Sequence, residues 1–78
     1  MNLYQHRFAA ECPNNGLTID YSLTIISGAT IMVEDIVEQC RVGPTFHEVL
    51  ADMLYKRFGG RQLLCATHHG VFIGTIRG

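Results

Sequence analysis

The sequence predicts an α+β fold in which the order ββααββ gives a four-stranded antiparallel sheet with two helices on one face. Three observations carry that expectation. Apolar residues alternate at period two near the start, they recur at helical spacing through the middle, and two further short apolar runs close the chain around His68-His69-Gly70. At 78 residues there is room for one domain, spanning 1–78.

The first strand is expected over Leu3 to Ala10, where Tyr4, His6 and Phe8 stand two apart, and the second over Leu17 to Ile25, with Leu17, Ile19, Tyr21, Leu23 and Ile25 on one side and Thr18, Asp20, Ser22 and Thr24 on the other. Cys12-Pro13-Asn14-Asn15-Gly16 lies between them. Pro13 presets φ and Asn15-Gly16 takes positive φ readily, so a hairpin is the expected connection.

After Ser27-Gly28 the period changes. Thr30 is placed to cap a helix whose first turn holds Glu34 and Asp35, where the positive end of the helix dipole favours carboxylates. Val33, Ile36, Val37 and Cys40 then form one stripe. Gly43-Pro44 separates this helix from a second. There Thr45 and Glu48 read as a capping box, and Phe46, Val49, Leu50, Met53, Leu54 and Phe58 form the apolar stripe until Gly59-Gly60 stops it. Met32, Met53 and Phe58 are expected in the core. A strand between the helices is excluded, because Arg41 to Thr45 is too short and too rich in Gly and Pro.

Arg61 to Thr67 and Val71 to Arg77 give the last two strands. The final one is apolar on both faces, with Val71 and Ile73 on one and Phe72 and Ile76 on the other. One face can meet the helices, and a second subunit is the expected cover for the other.

Charge excludes several functions. Net charge is −1, and the six Lys+Arg include a single lysine, Lys56, so there is no stripe to track phosphates and direct nucleic-acid binding is not expected. Seven acidic residues are too sparse to mimic DNA by charge. No run approaches membrane-spanning length, and no charged segment leads into an apolar core at the start. Cys12, Cys40 and Cys65 are widely spaced and odd in number, which suits a reducing cytoplasm, with Cys65 open to an intersubunit disulfide under oxidation. The adjacent pair His68-His69 lacks a third ligand at useful spacing, so no metal is expected.

Several short motifs are similar to the signposts of QueF-type nitrile reductases, enzymes of the tunnelling-fold superfamily, whose unit is also ββααββ. They are Glu11-Cys12-Pro13-x-x-Gly16, an Ile-x-Tyr strand after it at Ile19-x-Tyr21, Met32-Val33-Glu34, Phe46-His47-Glu48 and Gly70-Val71-x-Ile73. The resemblance implies that Cys12 is a nucleophile adding to a deazapurine nitrile and that Glu48 is the carboxylate holding the purine ring. It further implies that Cys12 and Glu48 meet across a subunit boundary. A thiolate is the attacking species in such chemistry, and a carboxylate can accept paired N–H groups from a purine edge. The family's acid, an aspartate seven residues after the cysteine, falls on Ile19, and the neighbouring Asp20 belongs to the other strand face. The Ser-Lys-Ser-Leu stretch associated with NADPH is replaced by Asp35-Ile36-Val37-Glu38.

Two functional expectations follow. The first is a non-catalytic, self-associating interaction module without a cofactor, as small phage or mobile-element inhibitors of bacterial defence of the anti-CRISPR type are. It would occupy a surface of a bacterial protein, such as a defence-complex subunit, through Glu34, Asp35 and Glu38 on the first helix or Phe72 and Ile76 on the last strand. The second is a tunnelling-fold enzyme or binder of a deazapurine or pterin using Cys12 and Glu48.

Overall fold

A computed structural model describes all residues 1–78. Strands β1 (Asn2–Glu11) and β2 (Thr18–Ser27), helices α1 (Val33–Gln39) and α2 (His47–Phe58), and strands β3 (Arg61–His68) and β4 (Val71–Arg77) follow in that order. The sheet runs β1-β2-β3-β4, antiparallel at every joint. The expected ββααββ architecture is therefore the observed one.

The inner face of the sheet follows from the alternation. Ile19, Tyr21, Leu23 and Ile25 of β2 and Leu64 and Ala66 of β3 are buried, and they form one cluster with Ile36 and Cys40 at α1 and Leu50, Ala51 and Leu54 of α2. Both helices therefore cover the same face. The turn between β3 and β4 is tight, with His69 at φ 50 and Gly70 at φ 77, the two positive φ values that a hairpin turn of this twist requires.

The helix starts differ from expectation. The residue before α1 is Met32, extended at φ −70 and ψ 125, and no side chain caps the helix. The Tyr4 hydroxyl accepts the Ile31 N–H at 3.0 Å, which holds the chain to β1 past Thr30 and delays the first turn. At α2 the capping box does not form. The Thr45 hydroxyl donates to the Phe46 carbonyl at 3.4 Å, and Glu48 reaches instead to Arg77 at 2.8 Å, a charged partner that outcompetes a backbone amide.

The buried side of α2 is also rotated toward Ala51. Leu50, Ala51 and Leu54 are buried while Phe46, Val49 and Met53 are exposed, and Met32 before α1 is exposed too. The expected core role of the two methionines is thereby corrected; Phe58 packs against the core as a half-buried residue. Gln62 closes the far end of α2, its Nε2 donating to the carbonyls of Leu54 at 3.1 Å and Gly59 at 2.8 Å. The Gly59 carbonyl lies past the last turn and has no partner in the helix, while Leu54 O gains a second donor beside the Phe58 N–H of its own helix.

The outer sheet face is divided. Across β2 it carries Thr18, Asp20, Ser22 and Thr24. Across β3 and β4 it carries Leu63, Phe72 and Ile76, all exposed, with the Phe72 ring lying over Gly74.

Candidate functional site

Cys12 follows directly on β1, and its backbone is tied on both sides of the turn. Its N–H donates to Leu17 O at 2.9 Å, and its carbonyl accepts from Gly16 N at 2.9 Å. Gly16 sits at φ 69, a conformation that favours glycine. The Asn15 side-chain oxygen accepts the Leu17 N–H at 3.0 Å, completing the turn. Asn15 Nδ2 also lies 3.2 Å from His69 Nε2, so the two hairpin turns meet at one end of the sheet. A third strap comes from the loop between the helices, where Thr45 N–H donates to Glu11 O at 3.2 Å.

These ties place Cys12 in the wall of a cleft of about 170 Å³ between the sheet and the start of α2. Ile19, Tyr21, Phe46, Ala66 and Ile73 give the cleft its apolar walls, and Asn14, Thr45, His47 and His68 bring polar groups to it. No carboxylate, lysine or arginine is among them. The cleft is smaller than the roughly 300–1,000 Å³ of sites for drug-sized ligands, so it suits one small flat group and not an extended dinucleotide.

Four rings connect β1, β2 and α2 on this side. His6 stacks on Phe8 at 5.9 Å between centroids, Phe8 on Tyr21 at 5.3 Å, and Tyr21 meets His47 at 5.5 Å with a 51° tilt. His47 Nε2 lies 3.1 Å from Leu64 O, and since a carbonyl only accepts, that nitrogen carries the hydrogen. In the neutral ring Nδ1 is then left as an acceptor. Tyr21 is 2 % exposed. Its hydroxyl makes no hydrogen bond within the chain, and because no fully buried side-chain polar atom lacks a partner, that hydroxyl opens onto the cleft. Burial, with Cys12 nearby, pushes the phenol above its ordinary 10.0.

The residues singled out from sequence are dispersed. Cys12 is buried in the cleft. Glu48 is outside it, paired with Arg77, which also binds Asp52 at 2.8 Å and so holds β4 against α2. Cys12 and Glu48 thus share no pocket within one chain. Glu34, Asp35 and Glu38 lie along α1; Asp35 pairs with Arg57 at 3.5 Å and Glu38 with Arg41 at 3.8 Å. Phe72 and Ile76 stand on the outer face, away from the helices, and no three His, Cys, Asp or Glu residues gather as a metal site. The sequence marks Tyr21 only as part of the Ile-x-Tyr strand and gives it no role in the site. The available signal was its place two residues beyond Ile19, which puts it on the same strand face as the position where the resemblance locates an acid.

The residues at the stretch that the resemblance associates with NADPH do not suit a phosphate group. The segment matching the phosphate-associated stretch presents the carboxylates of Asp35 and Glu38, which repel phosphate, and the nearest arginines are engaged by those same carboxylates.

With fold and cleft described, the class is an α+β unit of order ββααββ with both helices on one face of a four-stranded antiparallel sheet. No protein-family model matches the chain, and no curated protein does. Among solved structures, the apo form of an archaeosine synthase QueF-Like is similar over 97 % of this chain and 89 % of that one, with a TM-score of 0.72 at 19 % identity. That likeness establishes the fold.

Proposed function

We propose that this protein binds a small flat heterocycle of the deazapurine or pterin type in the Cys12 cleft, and that Cys12 is the nucleophile toward an electrophilic carbon of that ligand. The observation that carries this reading is a buried thiol opening into an apolar cleft that also holds an unpartnered phenol and an imidazole. A low-dielectric wall with few, placed polar groups is how small ligands are oriented. The fold likeness to a QueF-Like synthase supports the choice of ligand class. The chemistry stops at addition, because the residues at the NADPH-associated stretch do not suit a phosphate group. Glu48 serves as purine anchor in this reading only if a second copy brings its α2 against the cleft.

The test is intact-protein mass spectrometry after incubation with a deazapurine nitrile. A gain equal to the whole ligand mass is expected, retained in Cys40→Ser and Cys65→Ser and lost in Cys12→Ala, together with protection of Cys12 from iodoacetamide. No mass gain and no protection at millimolar ligand would remove the reading.

A second reading is favoured by the outer face. Leu63, Phe72 and Ile76 form an exposed apolar area on β3 and β4 of the kind that partner proteins or second copies cover. A non-catalytic interaction module, including an inhibitor of a bacterial defence complex, would use that face. Phe72→Glu is then expected to abolish association measured by light scattering, with the Cys12 cleft intact.

A further inference from the structure

We infer that Tyr21 is the acid of the Cys12 site, its hydroxyl donating the proton that an addition to the ligand requires. This deepens the reading of Cys12 as nucleophile and rests on it. When a thiolate adds to a nitrile, the sulfur pair forms the C–S bond, one π bond of the C≡N group breaks, and the nitrogen takes up a proton. The product contains thiol plus nitrile with nothing oxidised or reduced, so the one requirement beyond the thiol is a proton source.

The cleft offers few. Ile19, at the position where the resemblance places an aspartate, has no proton to give, and Asp20 is exposed on the outer face. His47 spends its Nε2 hydrogen on Leu64 O, and the Thr45 hydroxyl is directed to Phe46 O. His68 is packed edge-on against His69 at 4.3 Å between centroids. Asn14 is an amide and a very weak acid. Tyr21 alone is a buried residue with an O–H free of partners and facing the cleft. Its ring is fixed between Phe8 and His47, so the hydroxyl is held without a hydrogen bond of its own. A phenol raised above 10.0 stays protonated at neutral pH and is a donor there. After transfer, the phenolate regains its proton from water.

The experiment measures the rate of covalent adduct formation with a deazapurine nitrile, and in parallel the iodoacetamide alkylation of Cys12. Tyr21→Phe is expected to slow the adduct at least about tenfold, the lower range for loss of a general acid or base. Alkylation, which needs no proton donor, is expected to stay within about twofold on the same scale. Tyr55→Phe, on the exposed side of α2 and outside the cleft, is expected to leave both rates unchanged. Ile19→Asp in the Tyr21→Phe background is expected to restore part of the rate, with a new fall as pH rises through the carboxyl range.

An unchanged adduct rate in Tyr21→Phe overturns the assignment while the nucleophile reading stands. Equal slowing of adduct and alkylation also overturns it, since Tyr21 would then act on the thiol. Absence of any adduct in the unsubstituted protein removes both readings together.

Discussion

Gln62 and Tyr21 are both buried side chains with polar ends on the inner face, on adjacent strands, yet the amide nitrogen of one is bonded and the hydroxyl of the other is not. Gln62 binds two carbonyls at the end of α2; the Tyr21 hydroxyl binds nothing in the chain. A buried polar group that closes a helix end is there for stability. One that opens onto a cleft beside a thiol adds little to stability and is available to a ligand. Mutation should therefore separate the two ends of the molecule, one through its melting behaviour and the other through its chemistry.

The largest effect is expected at Gln62→Leu, which takes the side-chain donor from the Gly59 carbonyl and the second donor from Leu54 O. The expected loss is about 2–3 kcal/mol. For a domain of this size that lowers the thermal midpoint by roughly 10–20 °C. A midpoint shift under a few degrees would show that water replaces the amide, and the contrast with Tyr21 would collapse.

Next is alkaline pH. Burial pushes the Cys40 thiol from an ordinary 9.0 up to about 11. Because the folded value is the higher one, the stability this thiol contributes is complete below pH 9 and lost as pH rises toward about 11. The thermal midpoint should fall across that window, and less steeply in Cys40→Ala; parallel curves would assign the fall to other groups.

A smaller change is expected at Arg77→Met. Glu48 and Asp52 lose their shared partner, and the midpoint should drop slightly at low salt and not measurably at high salt, since exposed pairs are screened. A large, salt-independent drop would mean that the arginine stem is a packing element between β4 and α2.

The smallest effect on stability belongs to Tyr21→Phe. Its rings keep their stacking and no hydrogen bond is lost, so calorimetry should place it within about 0.5 kcal/mol of the parent. Strong destabilisation would make Tyr21 a structural residue like Gln62.

The fold was legible because its signals are local. Period-two alternation at Ile19, Tyr21, Leu23 and Ile25, and the His69-Gly70 turn, are properties of adjacent residues. What misled was competition from distant partners. Thr30 lost its capping role to a bond between Tyr4 and Ile31, and Glu48 lost its own to Arg77, 29 residues away. Cys12 was legible as a candidate from its motif. Its neighbours in the cleft come from three strands, a helix start, a turn and a loop, and only the folded chain brings them together. The place of Tyr21 beyond Ile19 was written in the strand pattern. Its free hydroxyl was not, since that depends on which groups fail to reach it.

The straps from Glu11 O to Thr45 and from Leu64 O to His47 fasten the start of α2 to β1 on one side and β3 on the other. The loop between the helices, some thirty positions downstream of the thiol, therefore acts as a clasp over it. Lengthening that loop, or stiffening it at Gly43, would retune the cleft without altering any residue that lines it.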